Sequence, residues 1–417
     1  MAWISRYSYG LSRPSLKEEG RIKLNKDKLY TFFELTAKAG IGGVLFFIPI
    51  SHALIDSFAG LALLGFVGKK IIKPDFQWLK TRHNLYLAAF FFFMALSLAN
   101  SGQYIEKSLV ALFFKWGKYV TLSLIIQDLI RKRNDILPFL YIFLFSAGLV
   151  AVSGITQLFW GVDFLRGREI SIMKGGFRAI TSSFSHCNGF GAYLIIPFSL
   201  CLAFFKAPRR LKPEQYYLAL FLGIISAFCI FHTYSRGTWI GVLAALITML
   251  IISRKSSVIF SIIIITGILL TISASRQVLF SIFQTGGDAG RFKYWQAAIA
   301  MFKENPFLGK GLGTFMANFS SYMPSINISY AHNCFLQILA ESGIFSLLAF
   351  LGFVFSVLYA GIKKLSFTRD PILLGGICGI VGFLVHSFFE VSLYSLALAV
   401  LFWLWIGIVA RLGSLEE

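Results

Sequence analysis

The chain has 417 residues, of which 57% are hydrophobic and 14% are charged. A soluble domain of this size could not hide so much apolar surface, because charged and polar residues are needed to face water. Apolar runs of roughly 18–22 residues, each bounded by Lys or Arg, recur along the chain and fit helices that span a bilayer. The composition therefore predicts an integral membrane protein.

The formal net charge of +20 would suit a nucleic-acid-binding protein, but the positions of the cations argue against that class. They lie in short segments between the apolar runs, namely Arg6–Lys28, Lys69–Arg82, Arg131–Arg133, Lys206–Lys212, Arg254–Lys255 and Lys363–Arg369. This is the positive-inside pattern, which orients spans and holds cytoplasmic loops near anionic head groups. Membrane lipids are therefore expected as partners, and nucleic acid is not.

Twelve membrane-spanning helices are predicted from the apolar runs. They cover about Leu29–Ile50, Ala53–Ile71, Leu85–Ala99, Leu109–Ile130, Ile136–Phe159, Gly189–Phe205, Tyr216–Thr233, Gly237–Ile252, Val258–Ser273, Ile344–Ile362, Leu373–Phe389 and Leu393–Ala410. An even number of spans and a basic N-terminus place both termini in the cytoplasm, and all six cation-rich segments then fall on the same side. We predict an all-α integral membrane protein in which residues 1–417 form a single polytopic domain.

Two outer segments are too long to be simple connectors: Trp160–Asn188 and residues 274–343. In the second, a helix capped by Asp288 is predicted over Ala289–Glu304, and a short helix is predicted from near His332 to Glu341. Residues 274–343 are therefore predicted to form a large periplasmic loop whose amphipathic helices carry part of an active site.

Two arginines in the outer segments are candidates for holding an anion. Ser235 is a good N-cap, and Arg236 adds a forked donor at a helix end that already favours phosphate. Arg291 lies in the first turn of the predicted helix, where a cation is locally unfavourable unless an anion is its partner. The alternatives are a snorkelling interfacial cation for Arg236 and a solvated cation near lipid head groups for Arg291.

His332 is the candidate general base. An imidazole outside the membrane and close to two candidate arginines could accept a proton from a sugar hydroxyl. The alternative is a purely structural histidine.

The glycine-rich Gly309–Gly313 resembles a phosphate loop, but no strand precedes it, which favours a turn. The five cysteines and the scattered outer acidic residues have no familiar metal-ligand spacing, so no metal site is expected.

Four segments of the outer loops match, in order, the motifs of one known family. They are Ser235-Arg236-Gly237-x-Trp239, Gly290-Arg291-x-x-Tyr294-Trp295, Asn305-Pro306-x-x-Gly309-x-Gly311-x-Gly313-x-Phe315 and Ala331-His332-Asn333-x-x-Leu336. Together they resemble the O-antigen ligase family, which also contains Wzy-type O-antigen polymerases. The segment Phe184–Phe190 resembles a family element too, but Cys187 stands where a proline is common, which leaves the roles of His186 and Asn188 open.

The resemblance implies a GT-C-like, all-helical glycosyltransferase fold without a nucleotide-sugar domain. It implies a glycan donor carried on undecaprenyl diphosphate, and inverting transfer without a metal or another cofactor. His332 would be the general base, and Arg236 and Arg291 would hold the diphosphate leaving group. Further candidate substrate-binding residues are Ser235, Tyr294, Trp295 and Asn333 within the motifs and Asn188 in the Phe184–Phe190 segment. Arg178, in the other outer loop, is a candidate for the same diphosphate-binding cluster.

The sequence thus predicts an O-antigen ligase of the bacterial inner membrane that transfers a glycan to lipid A–core at a periplasmic active site. One alternative is a polymerase of the same family, which differs in its acceptor. Another is a secondary transporter, which would place polar groups at the bilayer midplane. The charged or titratable residues at such depths are Glu34, Lys38, His386 and Glu390, and these are expected to lie near span ends or to pair internally.

Overall fold

The computed structural model describes residues 16–173, 176–207, 212–253, 289–324 and 330–415, which are almost entirely helical. The α-helices are α1 (Leu16–Phe47), α2 (His52–Ile72), α3 (Arg82–Leu96), α4 (Ile105–Val110), α5 (Lys118–Leu129), α6 (Leu137–Trp160), α7 (Cys187–Phe205), α8 (Pro213–His232), α9 (Arg236–Ser253), α10 (Ala289–Glu304), α11 (Phe315–Tyr322), α12 (Cys334–Thr368), α13 (Pro371–His386) and α14 (Leu396–Ser414). A π-helical segment, Ala111–Gly117, joins α4 to α5. Two short antiparallel strands, β1 (Ser171–Ile172) and β2 (Arg178–Ala179), pair in the loop after α6.

Several of these helices are long and apolar enough to cross a membrane. Within the described ranges eight segments qualify, namely Arg82–Asn100, Gly102–Leu129, Arg133–Trp160, Cys187–Phe205, Pro213–His232, Arg236–Ser253, Cys334–Thr368 and Leu396–Ser414, and Pro371–His386 is a shorter apolar helix. The prediction of an all-α, multi-pass membrane protein is therefore confirmed. The predicted span Val258–Ser273 lies outside the described residues, each of the others coincides with a helix, and the total of twelve stays a prediction.

The centre of the bundle is α14, which contacts α5, α12 and α13. Trp403 and Trp405 are fully buried on it, and the Trp403 ring stacks on Phe353 of α12 at a centroid distance of 5.6 Å. A helix that is apolar all round is expected in the core of a bundle rather than at its surface. Because lipid tails are as apolar as these side chains, their association depends on close packing rather than on escape from water.

Glycines let α9 and α13 approach each other closely. A Cβ atom on Gly241 would lie 2.7 Å from the carbonyl oxygen of Gly382, and one on Gly382 would lie 2.6 Å from that of Gly241. Small residues at such crossings allow backbone-to-backbone contact between membrane helices. This contact holds the beginning of α9 beside the end of α13. It therefore brings the turn between α8 and α9 close to the connection that follows α13.

Contacts between helix termini define two ends of the bundle. At one end, which we call the site end, Ile180 of the loop before α7 donates to the carbonyl of His232, the last residue of α8, at 3.0 Å. At the opposite end, Arg133 before α6 pairs with Asp370 before α13 at 2.8 Å. There too the Nε atom of Arg411, near the end of α14, donates to the carbonyl of Ile130 after α5 at 2.7 Å.

Both helices predicted within residues 289–343 are present in the described parts of that segment. Helix α10 covers Ala289–Glu304 as expected, although its predicted cap Asp288 lies outside the described residues. The second predicted helix begins at Cys334 and is broken at Gly343, which has a φ of 77°. A Cβ atom on Gly343 would lie 2.1 Å from the carbonyl oxygen of Phe307, so only glycine fits there. The short helix α11 was not predicted.

The glycine-rich segment Gly309–Gly313 is a turn, as predicted. Its three glycines have φ values of 68°, 108° and 72°, in the left-handed region that favours glycine. The buried carboxylate of Glu341 accepts hydrogen bonds from the backbone amides of Gly313 at 3.0 Å and Phe315 at 3.3 Å. The amides of Lys310 and Gly311 donate to the backbone carbonyls of Ala340 and Glu341 at 2.9 and 3.0 Å, so amides that could have held a phosphate bind α12 instead.

Candidate active site

The carboxylate of Glu390, in the connection between α13 and the 3₁₀ turn Ser392–Tyr394, joins three other segments of the chain. Its Oε1 atom accepts hydrogen bonds from Nδ2 of Asn188 at 2.5 Å and from Nη2 of Arg291 at 3.0 Å. Its Oε2 atom lies 3.2 Å from Nδ1 of His332. We call these four residues the Glu390 cluster. It unites the beginnings of α7, α10 and α12 with the end of α13.

The backbone at His332 is strained and held in place by its neighbours. Its φ is 51°, a left-handed conformation that costs energy for a residue other than glycine. Asn333 next to it is fully buried, and its Oδ1 atom caps α12 by accepting from the amides of Phe335 and Leu336, each at 3.0 Å. The amide of Cys334 donates to the carbonyl of Ser387 at 2.9 Å. These bonds fix the position from which the imidazole reaches Glu390.

The charge of Glu390 sets the protonation pattern of the cluster. Burial alone would raise the pKa of this carboxyl, but the hydrogen bond with His332 and the positive charge of Arg291 outweigh burial and hold the pKa below its usual value. An ionised carboxylate only accepts hydrogen bonds, so Nδ1 of His332 must be the donor. In the neutral imidazole, the other ring nitrogen, Nε2, then carries the lone pair that a general base needs. The imidazole is 37% exposed and can be reached by a substrate.

Helix α10 supplies one wall beside His332. Arg291 in its first turn pairs with Glu390, so the locally unfavourable cation at this helix end has an anionic partner within the protein. The ring of Tyr294 lies 5.8 Å from that of His332. Trp295 packs edge-on against Phe388 at 5.7 Å. The Nε1 atom of Trp295 is buried and has no hydrogen-bond partner among the residues that the structure describes.

Arg236 is the first residue of α9 and stands next to the same connection. The predicted N-cap is confirmed, because the Oγ atom of Ser235 accepts a hydrogen bond from the amide of Thr238 at 3.3 Å. A Cβ atom on Gly237 would lie 3.5 Å from the Cβ atom of Phe389, the residue before Glu390. The start of α9 therefore packs against the segment that carries the cluster, and its free amides and dipole add to the positive charge of Arg236.

The remaining predicted substrate-binding residues occupy different environments. Asn188 belongs to the Glu390 cluster, whereas Ser235 is only 3% exposed and Asn333 is fully buried, with the side chains of both occupied in capping. Arg178 lies in β2 and is exposed. The preceding Phe177 places its ring 5.7 Å from that of Tyr234, so Arg178 stands beside the α8–α9 turn and not among the partners of Glu390.

The contribution of Glu390 was missed by the sequence interpretation, which grouped it with charges expected to lie near span ends or to pair internally. The pairing is confirmed: Lys38 pairs with Glu34 at 2.8 Å, and Nδ1 of His386 lies 3.1 Å from Oγ of Ser392. Glu390 differs because its partners include His332 and Arg291, two of the three residues expected to perform chemistry. The usable signal was a carboxylate in the short connection between the last two predicted spans, which the sequence predicts to lie outside.

The arrangement combines an oriented imidazole with two arginines at helix N-termini. Such a site can remove a proton from a hydroxyl group and stabilise negative charge on a leaving group. In the described ranges, no group of three or more His, Cys, Asp and Glu side chains is arranged to hold a metal ion.

Comparison with known proteins assigns the central part of the chain to a family. Residues 218–351 match the family model described as O-antigen ligase. That stretch contains Arg236, Arg291 and His332, whereas Asn188 and Glu390 lie outside it. No curated protein matches the chain. The matched stretch carries the residues predicted to bind the leaving group and to act as base, on a multi-pass helical scaffold. Residues 218–351 of the chain are therefore similar to the O-antigen ligase family.

Proposed function

We propose that this protein is an O-antigen ligase, which transfers a glycan from undecaprenyl diphosphate to a sugar hydroxyl of lipid A–core. The transfer inverts the anomeric centre and is independent of metal. The observation that carries this proposal is the His332–Glu390–Arg291 arrangement within and beside the matched family domain. Arg236 stands at the adjoining helix end.

In the proposed reaction His332 is the general base. Glu390 orients the imidazole through Nδ1, and Nε2 accepts the proton of the acceptor hydroxyl as its oxygen attacks the anomeric carbon. The bond between that carbon and the diphosphate oxygen breaks, and its electron pair leaves with the diphosphate. The carboxylate also stabilises the imidazolium formed by this transfer, since it lies 3.2 Å from the ring nitrogen.

Arg236 and Arg291 meet the charge that develops on the leaving group. A diphosphate departs readily only if preorganised donors face it. Arg291 already bonds Glu390 through one Nη2 contact, and a guanidinium has five N–H donors, so the same side chain can bind a phosphate oxygen as well. The first turns of α9 and α10 add their dipoles to both arginines. Tyr294, Trp295 and Asn188 are proposed to contact substrate, and Arg178, Ser235 and Asn333 to support the site.

The acceptor is the point at which the ligase can be separated from a polymerase of the same family. Purified protein in detergent, given an undecaprenyl-diphosphate glycan as donor and both lipid A–core and lipid-linked glycan as competing acceptors, should modify lipid A–core. Products can be resolved by mass and by their susceptibility to mild acid, which releases glycans from diphosphate but not from core sugar. A product that is only a longer lipid-linked glycan would assign the polymerase reaction instead.

The proposed site faces the periplasm of a bacterial inner membrane, with both termini in the cytoplasm. Cysteines introduced in intact cells at Ser320 and Arg166 should therefore react with an impermeant thiol reagent, whereas one at Lys132 should react only after permeabilisation. All three positions are exposed. Asp163 is unsuitable for such a probe, because it is buried and its carboxylate accepts hydrogen bonds from the backbone amides of Leu165 and Arg166.

The native cysteines provide the background for this measurement. Cys187 is partly buried and the other four are buried, so labelling of the unaltered chain should be weak. Labelling of Lys132→Cys in intact cells at the level of Ser320→Cys would reverse the orientation and place the site in the cytoplasm.

A further inference from the structure

A second groove lies at the end of the bundle opposite the site. It has a volume of about 800 Å³ and is formed by the beginning of α3, the second half of α12 and the end of α14. The end of α14 packs against α12 here, since a Cβ atom on Gly413 would lie 2.9 Å from the backbone nitrogen of Gly361. The candidate active site lies at the other end of α12, so this groove belongs to a different surface.

The mouth of the groove carries positive charge. Arg82, Lys363 and Lys364 line it, and none of the described residues that line it is acidic. Arg82 is the first residue of α3, where the helix dipole is already positive, so an anion there would relieve a locally unfavourable arrangement. The hydroxyl group of Thr81 also lines the groove, and it can donate to an oxygen ligand because it acts as an acceptor in capping α3.

Apart from the buried His83, the rest of the groove is apolar, and it opens toward the side of the bundle. Tyr86, Phe355 and Tyr359 line it and are 44%, 65% and 71% exposed. Such exposure on helices of membrane-spanning length and composition places these rings against lipid chains. From Gly352 to Lys364 the groove follows α12 for about 18 Å at the rise of an α-helix, close to the roughly 15 Å of hydrocarbon in one leaflet.

We propose that this groove binds an anionic phospholipid of the leaflet opposite the active site. The lipid phosphate lies between Arg82 and Lys363, and one acyl chain runs along Tyr86, Phe355 and Tyr359. One lipid molecule fits the positive charge of the mouth and the length of the apolar part. It also fits the lack of acidic side chains among the described residues of the lining. This site goes beyond the proposed glycan transfer, because none of its residues takes part in that reaction.

The test is direct lipid binding to the full-length protein in detergent, measured by native mass spectrometry with phosphatidylglycerol and with phosphatidylcholine of the same acyl chains. Wild type should bind phosphatidylglycerol more tightly. The double variant Arg82→Gln/Lys363→Gln should bind it about 25-fold more weakly, because each cation near a lipid phosphate contributes about fivefold to the affinity. The matched control, Lys132→Gln/Lys212→Gln, removes two exposed cations that do not line the groove and should bind as wild type does.

A second pair of variants tests the apolar part. Ser356→Trp places a large side chain on the floor of the groove and should weaken phosphatidylglycerol binding, whereas Leu348→Trp, exposed on α12 outside the groove, should not. Equal affinity for both lipids, or unchanged binding by Arg82→Gln/Lys363→Gln, would overturn the proposal. Displacement of the lipid by inorganic phosphate at equal concentration would also overturn it, because the acyl chain would then contribute nothing.

Discussion

Replacing His332 with alanine is expected to lower turnover by about 10²- to 10⁴-fold, the range that a positioned general base contributes. The variant should remain folded and bind donor nearly as well as wild type, because Asn333 and not His332 caps α12. Turnover of purified protein with saturating donor and acceptor, and donor affinity measured separately, check both parts. His52→Ala, which removes an exposed histidine at the start of α2, is the control and should retain wild-type activity.

The pH dependence should identify which group of the cluster titrates. Activity should fall once acid protonates the imidazole of His332, because an imidazolium cannot accept a proton. The folded-state pKa of Glu390 is held below its usual value by His332 and Arg291, so this carboxylate stays ionised under mildly acidic conditions. Its contribution to stability is present above the unfolded-state pKa of a glutamate and is lost only as the pH falls through the lower, folded-state value. Loss of activity should therefore precede any acid unfolding that involves Glu390.

Glu390→Gln separates orientation of the base from the base itself. Glutamine can still accept from Asn188 and Arg291 but carries no charge to hold the proton on Nδ1 of His332. A loss of about 10- to 100-fold is expected, as for other partners that orient a histidine. Combined with His332→Ala, it should add little, because both residues act through one group. Wild-type turnover by His332→Gln across the pH range would refute the proposed mechanism and leave the family assignment intact.

Much of the local structure could be predicted because its signals are local. The limits of α10 follow from helical periodicity and from the proline after Asn305, and the cap at Ser235 follows from its side-chain oxygen. The break at Gly343 coincides with a glycine that the adjoining Phe307 segment requires. In each case the determining residue lies within a few positions of the feature, or is a glycine, which commonly occurs where the backbone needs a positive φ or a close approach.

The Glu390 cluster could not be derived in the same way. Its three contacts join residues that are 58, 99 and 202 positions apart in the chain. No spacing rule links these positions, and the packing of α9 against α13 through Gly241 and Gly382 is what brings the end of α13 to the site. Motif resemblance supplied the residues within the family domain but did not include the carboxylate that orients the base.

The internal partner of Arg291 changes how the two arginines should be compared. The sequence suggested that each awaits an anionic ligand, and Arg291 already has one in Glu390. A change at Arg291 will therefore disturb Glu390 and His332 as well as any phosphate contact. Arg236, at the first position of α9, provides a second position for testing leaving-group stabilisation, at a different helix end from Arg291.

Arg236→Lys should remain strongly impaired even though it keeps the charge. A guanidinium offers a planar fork that can bind two phosphate oxygens, whereas an ammonium is a point charge on a flexible stem. We expect Arg236→Ala to lose about 10²- to 10³-fold in kcat, as for removal of one preorganised donor to a developing anion. The lysine variant should recover only a small part of this loss. The measurement is kcat with saturating undecaprenyl-diphosphate glycan, together with KM for that donor.

The split between kcat and KM decides what Arg236 does. If Arg236 stabilises negative charge in the transition state, replacing it should lower kcat more than it raises KM. The reason is that the diphosphate gains charge only as its bond to the glycan breaks. Arg166→Lys, at an exposed arginine of the loop after α6, is the matched control and should behave as wild type. Near-normal kcat for Arg236→Lys would reduce Arg236 to an interfacial cation. Leaving-group stabilisation would then rest on Arg291 and the two helix N-termini, which is a weaker arrangement than the one proposed.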